Sequence, residues 1–335
     1  MKKIYIYGMG DYGIRLYNFL KDINVTISGF IKTKINGVES CEGVNAISIN
    51  QLDEIGEDSI IIIAIADKVV CNYIRIKLLS KGIKDKRIIE AASFIKDNLP
   101  LESYRCIVCG SRFRSFIPGF VTESELFERH HIIGAGYREK MTCPICGAID
   151  RTRWLYYVLI TKTDIFDRDN VILHFAPEAF IRKRLQNGTN QYIPADICPY
   201  DGIIKMDIKD IPYKEDTFDY VIANHVLEHI NDLDKAMLEL KRVLKKDGKL
   251  IISFPICTDQ NTIEEQKDIG PAERLRLFGQ EDHVRLFGAD YKEVIEHYGF
   301  RVVTYIPNEL LDRDSIESGG FIEDDVIMIC SDLGK

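Results

Sequence analysis

Four cysteines stand in two near-identical turns, Cys106-Ile-Val-Cys109-Gly110 and Cys143-Pro-Ile-Cys146-Gly147. A turn of this kind aims two thiolates at one point, and the glycine behind it lets backbone N–H groups face the sulfurs. Two such turns complete a tetrahedral shell of four sulfurs, which suits structural Zn2+ and leaves no ligand position open for catalysis. Cys106, Cys109, Cys143 and Cys146 are therefore the expected metal ligands. The 33 residues between the pairs exceed a compact zinc-ribbon spacing, so the turns enclose an insertion. Its His130 and His131 read as surface residues rather than further ligands. Arg112, Arg114, Arg151 and Arg153 flank the turns, as solvated charge or as an anion-binding patch. The other five of the nine cysteines (Cys41, Cys71, Cys198, Cys257, Cys330) lie in apolar or strand-like surroundings and read as ordinary thiols of a cytoplasmic protein.

A second chemical pattern lies near the start. Gly8-Met9-Gly10-Asp11-Tyr12-Gly13 follows a strand at 3–7 and opens a helix with Ile14, Leu16, Tyr17 and Leu20 along one side. In that context Gly8, Gly10 and Gly13 would let the backbone approach a pyrophosphate at the helix N-terminus. The acid that should end the second strand and hold a ribose is missing. Ile31-Lys32-Thr33-Lys34 stands there instead, which suits a phosphate better than an NAD ribose. Three readings stay open: a tight turn only, a nucleotide or nucleotide-sugar site, and a redox-cofactor site. Over residues 1–95 the pattern resembles the Rossmann-like domains associated with nucleotide sugars in sugar acyltransferases and sugar methyltransferases.

Residues 171–256 are the most informative. A buried strand, 171–175, runs into Ala176-Pro177 and a helix from about Glu178; a second strand, 191–195, ends at Asp196. Asp207-Ile208 follows, then Asp216-Thr217-Phe218-Asp219-Tyr220-Val221, Asn224-His225-Val226-Leu227-Glu228-His229, and Asp247-Gly248-Lys249 leading into Leu250–Phe254. In combination these resemble class I S-adenosylmethionine-dependent methyltransferases over 154–335. The resemblance implies a cofactor held by Phe175, Ala176, Pro177 and Asn224, with Asp196 on the ribose hydroxyls, Asp207 near the adenine amino group and Ile208 against the ring. The first motif departs from the usual acid-x-G-x-G-x-G. It reads Leu173-His174-Phe175-Ala176-Pro177-Glu178, as in a subgroup of these enzymes that often carries a similar cysteine module. His225 and His283 are the candidate bases, the latter in Phe278-Gly279-Gln280-Glu281-Asp282-His283-Val284-Arg285, which matches the same subgroup. His225-x-x-Glu228-His229 also fits an inverted zinc-protease motif. Its place after a sheet strand argues against that reading and leaves Glu228 and His229 as helix-packing residues.

The elements that must position these residues form an α/β protein in three parts. These are a Rossmann-like domain (1–100), a small four-cysteine zinc module (101–153) and a methyltransferase domain (154–335) with a seven-stranded sheet covered by helices on both faces. Pro100 and Trp154 mark the boundaries, Asn50 is expected to cap a short helix, and 259–285 is a long polar insertion. At 46% hydrophobic and 29% charged, the 335-residue chain is ordinary globular material. The longest apolar run, Ile60 to Ala66, is a strand's length, and the one behind Met1-Lys2-Lys3 stops at Gly8, so neither a membrane span nor a targeting segment is expected. The net charge of −8 argues against duplex DNA as partner. Sugar C-methyltransferases of deoxysugar pathways resemble the chain in using these kinds of module in another order. The expected acceptor is therefore a sugar, nucleotide-sugar or glycan, methylated on O or N. The rivals are an RNA methyltransferase docking through the zinc module, a non-catalytic nucleotide-sugar binding protein and, more weakly, an oxidoreductase built on Gly8–Gly13. The sequence leaves the oligomeric state open.

Overall fold

The computed structural model describes all residues except 1–2, 23, 36, 38, 66, 99–103, 120–123, 168, 189–190, 201, 266 and 335. Pro100, Ala66 and the Met1-Lys2 start lie outside the described residues. The chain separates into two compact units. The first comprises Met1–Phe120, Tyr137–Asp150 and Ser318–Gly320, the second Val121–Gly136, Arg151–Glu317 and Phe321–Lys335.

In the first unit, β1 (Ile4–Tyr7), α1 (Asp11–Asp22), β2 (Gly29–Lys32), β3 (Ser40–Cys41), β4 (Val44–Ser48), β5 (Ile60–Ile63), α2 (Lys68–Ser80), β6 (Ile88–Glu90) and α3 (Ala91–Asn98) follow in order. The sheet order is β3-β4-β2-β1-β5-β6, parallel except for the β3–β4 hairpin. Strand order reverses beside β1, so the loop after β1 sits at the topological switch point of a doubly wound sheet. Ile61, Ile62 and Ile63 are buried, as a central strand covered on both faces requires. One local expectation shifts: Ser48, not Asn50, caps the short 3-10 helix, its hydroxyl accepting from the Asn50 N–H while Gln51 caps back.

The cysteine turns belong to this unit, with a small hairpin of β7 (Tyr104–Arg105) and β8 (Arg112–Phe113) flanking the first. Helix α1 carries the second turn: the Tyr12 hydroxyl donates to the Pro144 carbonyl at 3.0 Å and Arg15 to the Thr142 hydroxyl at 2.8 Å. Ile117 and Ile145 join the apolar cluster built on Ile6, Leu16 and Phe30. The insertion between the turns instead lies in the second unit, as α4 (Glu125–Arg129) and β9 (Ile132–Ile133).

The second unit continues with α5 (Asp150–Lys162), whose first residue falls in the first unit and inside which Trp154 lies, followed by β10 (Val171–Phe175), α6 (Ala179–Gln186), β11 (Gln191–Asp196), β12 (Ile204–Lys205), β13 (Phe218–Asn224), α7 (Leu233–Val243) and β14 (Leu244–Ser253). After these come β15 (Ile256–Cys257), β16 (Ile263–Glu264), α8 (Pro271–Phe278), β17 (Arg285–Leu286), β18 (Phe300–Tyr305) and β19 (Ile327–Asp332). The seven-stranded sheet runs β12-β11-β10-β13-β14-β19-β18, with only β19 antiparallel to its neighbours. Helix α7 shows how sequence period sets packing. Leu233, Ala236, Met237, Leu240 and Val243 recur at helical spacing and are all buried, while the Asp232 carboxylate caps the Lys235 N–H at 3.0 Å. Each fully buried leucine or methionine contributes about 1.5–3 kcal/mol. The polar stretch 259–285 is structured, holding β16, α8 and the approach to β17.

Candidate functional site

Strand register sets the site. Phe175 pairs with Ala195 and with Ala223, and Asn224 pairs with Ser253, so Ala176, Asp196, Asn224 and Ser253 lie at one level along the carboxyl edge of β10, β11, β13 and β14. In open parallel sheets ligands bind beyond this edge. Ala176 and His225 leave the ends of the two central strands with φ of +45° and +54°. Non-glycine residues hold this left-handed conformation at a cost of about 1–3 kcal/mol, and such strain concentrates at functional sites. Ala176 thus makes, without glycine, the turn that glycine makes in the usual first motif.

Where that motif has an acid this chain has His174, and a carboxylate, Glu178, stands four residues on. His174 is fully buried in β10, with Nδ1 3.0 Å from the Tyr192 hydroxyl and Nε2 3.1 Å from Glu178 Oε2. The carboxylate can only accept, so Nε2–H donates to it and Nδ1 accepts from Tyr192, whose pKa burial pushes up. Glu178 Oε1 accepts from the Asn224 amide at 2.6 Å, and the Asn224 carbonyl accepts from the Ser253 hydroxyl. Burial pushes the Glu178 carboxyl upward, but the hydrogen bonds from His174 and Asn224 outweigh it and leave the pKa lowered. An ionised carboxylate is therefore fixed at the start of α6, beside the strained turn.

Asp196 is half-buried at the end of β11, where its Oδ1 accepts from the Cys198 N–H at 2.8 Å and its Oδ2 has no protein donor among the described residues. Asp207 accepts from the Lys209 N–H at 2.9 Å, and Ile208 is buried in the core cluster. Phe175 and Pro177 are buried, Ala176 exposed.

Beyond β13, His225 Nδ1 lies 3.1 Å from Glu228 Oε1 and 3.4 Å from Arg151 Nη1. Burial, then the Arg151 charge, pushes its pKa down against the opposing pull of Glu228. The imidazole is held neutral, with Nδ1–H directed at Glu228 and Nε2 left with its lone pair. Glu228 is 1% exposed, so its part is not helix packing alone. The second candidate base is strapped to the same turn. The Val284 N–H donates to the Glu228 carbonyl at 2.9 Å, and fully buried Arg285 donates to the Leu227 and Ile230 carbonyls at 2.6 and 2.7 Å. His283 is 4% exposed, its ring edge-on to His229 with centroids 4.7 Å apart.

The flanking arginines divide. Arg112 and Arg114 are exposed, as solvated charge should be, but Arg153 is fully buried and Arg151 faces His225, because both begin a core helix. His130 and His131 pair with Asp259 and Asp324.

In the first unit the three loop glycines have separate parts. Gly8 has φ +109°, and a Cβ on Gly13 would stand 2.0 Å from the Gly8 carbonyl oxygen, so only glycine lets helix and strand close. A Cβ on Gly10 would meet nothing within 4 Å, which leaves open space over the loop. Lys32 is already ion-paired with Glu39. The two cysteine turns share one hydrogen-bond pattern: Gly110 N–H to the Cys106 carbonyl at 2.8 Å and Gly147 N–H to the Cys143 carbonyl at 3.0 Å. The Sγ atoms of Cys106 and Cys146 are 3.8 Å apart, and those of Cys109 and Cys143 3.9 Å. A tetrahedron with Zn–S bonds of about 2.3 Å has edges of about 3.8 Å, so the quartet fits zinc.

Sequence reasoning did not single out Glu178, Tyr192, Ser253 or the pairing role of Glu228. One signal was present: a histidine in the acid's place with a glutamate four residues later.

The family described as "Methyltransferase domain" matches residues 173–252, which span β10 to β14. An uncharacterised protein of Methanocaldococcus jannaschii, MJ0638, is 50% identical over 46 residues, 14% of this chain and 20% of the relative. The sterol 4-C-methyltransferase strm-1 of Caenorhabditis elegans is 42% identical over 72 residues, 22% of each chain. The chain thus spans about a fifth of the length of these curated relatives. Among solved structures, the 1,6-didemethyltoxoflavin-N1-methyltransferase of Burkholderia thailandensis is 14% identical, covering 49% of this chain and 71% of that one with a TM-score of 0.33.

Proposed function

We propose that the second unit is an S-adenosylmethionine-dependent methyltransferase whose acceptor is a sugar, nucleotide-sugar or glycan, methylated on oxygen or nitrogen. The observation that carries this is the row of acid, amide and neutral imidazole, Asp196, Asn224 and His225, along one carboxyl edge of a sheet whose central strands match the methyltransferase-domain family. When bound, S-adenosylmethionine supplies the electrophilic methyl group. Asp196, with an oxygen free of protein donors among the described residues, would hold the ribose hydroxyls; Asp207 and Ile208 would meet the adenine, and the turn at Phe175–Pro177 with Asn224 would line the rest of the cofactor site. His225 takes the acceptor's proton at Nε2, and Glu228 holds the ring in that tautomer and steadies the charge as it forms. Burial, with the Arg151 charge adding to it, favours the neutral ring beforehand. Zn2+ held by the four cysteines would be structural, with no ligand position left open.

The sugar part of the reading is supported by the glycine loop of the first unit, whose open face above Gly10 suits a diphosphate approached by backbone N–H groups. Radiolabelled S-adenosylmethionine incubated with a panel of nucleotide-sugars, surface glycans, RNA and sterols tests it. Label in a sugar is expected; label found only in RNA or sterol sinks the acceptor assignment.

A further inference from the structure

Two histidines beside the site, His229 and His283, have no part in the reaction as drawn, and they adjoin the Glu228 that orients His225. One ligand atom each of Glu228, His229 and His283 lies within 4.8 Å of the others. We infer that these three side chains form a second metal site, a two-histidine, one-carboxylate set for a divalent transition ion, distinct from the cysteine quartet. The inference stands on the donor set and does not depend on methyl transfer.

Three observations carry it. Glu228 is almost wholly buried, and while its Oε1 meets His225, its Oε2 has no hydrogen-bond partner among the described residues. A buried carboxylate oxygen without a donor carries the full cost of lost hydration, and a cation removes that cost. Both histidines are prepared as ligands. His283 Nδ1 lies 3.2 Å from the Phe278 carbonyl, which can only accept, so the proton is on Nδ1 and the lone pair on Nε2. His229 Nδ1 faces Asp282 Oδ2 at 3.3 Å, with the same consequence. Metal-ligating histidines characteristically donate their second ring N–H to a carbonyl or carboxylate in this way. The third observation is rigidity: the Val284–Glu228 backbone bond and the Arg285 bonds to the Leu227 and Ile230 carbonyls tie the two contributing segments together. Ligands of one ion at about 2.1 Å must stand closer than 4.8 Å, and the His229 ring, a third exposed, has the freedom to close. Two imidazoles and a carboxylate favour Zn2+, Fe2+, Co2+ or Mn2+ over Ca2+ and leave coordination positions for an outside oxygen. Glu228 would then bridge the ion and His225.

Cobalt titration of the full-length, zinc-loaded protein tests this. One equivalent of Co2+ should give weak visible d–d absorption without the thiolate charge-transfer band of a cysteine site. His229→Ala and His283→Ala should each abolish it, and Asp282→Asn, on the exposed outer shell, should weaken binding roughly 10- to 100-fold. Circular dichroism of the variants confirms folding, and Asp282→Asn keeps the test valid if His283→Ala does not fold. No absorption without a thiolate band, or absorption unchanged in Asp282→Asn and His229→Ala, overturns the site.

Discussion

Ala176 and His225 hold conformations that their side chains resist, and each does so where a strand delivers its carboxyl end to the site. The strain at Ala176 has a direct consequence. Ala176→Gly should leave the protein as stable or raise stability by up to about 1 kcal/mol, read from denaturant midpoints, because relief of the left-handed conformation meets the entropy cost of glycine. His225→Ala should cost roughly 100- to 10,000-fold in turnover while leaving cofactor affinity within about a factor of three, the pattern of a lost base rather than a lost ligand. Glu178 carries a pH signature. Its folded pKa is lowered, so its contribution to stability is present above the unfolded value near 4.5 and is lost as pH falls through the folded one. Glu178→Gln should therefore flatten the acid limb of the melting-temperature profile below pH 4.5; an unchanged limb contradicts the ionised pairing with His174. At this scale the sequence was legible wherever a residue acts through its own chain neighbours, as in the cysteine turns. It was not legible for Glu178, Asn224 and Ser253 as a hydrogen-bonded row. Their pairing exists only because parallel register sets residues from three different segments side by side.

At the scale of elements, the apolar runs marked the central strands and the helical spacing of Leu233 to Val243 marked a helix, since both patterns answer to one buried face. Ends were less legible. Ser48 and Asn50 are both competent caps, and which one serves depends on where β4 stops. The stretch 259–285 read as polar insertion because its strand is two residues long and its helix short, and neither builds a periodic signal. The glycine loop separates two roles that the motif alone confounds. Gly13→Ala should destabilise the first unit by about 1–3 kcal/mol through overpacking against the Gly8 carbonyl. Gly10→Ala, with no steric neighbour, should leave melting unchanged and weaken a bound nucleotide or nucleotide-sugar, measured by fluorescence displacement. If neither the wild type nor Gly10→Ala binds one, the loop is only a turn.

Across the whole molecule, the division into compact units does not follow the three segments distinguishable by composition. The cysteine turns are spaced by an insertion whose helix and strand belong to the second unit, while the turns themselves pack on α1 of the first. Composition cannot reveal such an exchange, because the surfaces involved, Tyr12 against Pro144 and β9 against β15, are paired only after folding. Among the described residues no helix is long and apolar enough to cross a membrane. Zinc should stabilise chiefly the first unit, so chelation or Cys143→Ser should lower one of two calorimetric transitions and leave the other in place.

The claim on which the rest depends is that the carboxyl edge holds S-adenosylmethionine through Asp196. Isothermal titration of the full-length protein with S-adenosylmethionine tests it most directly. Saturable binding at one site per chain is expected, weakened roughly 10- to 100-fold in Asp196→Ala by loss of a charged hydrogen-bond acceptor. No measurable binding to the folded wild type, or equal affinity in Asp196→Ala, would contradict the account.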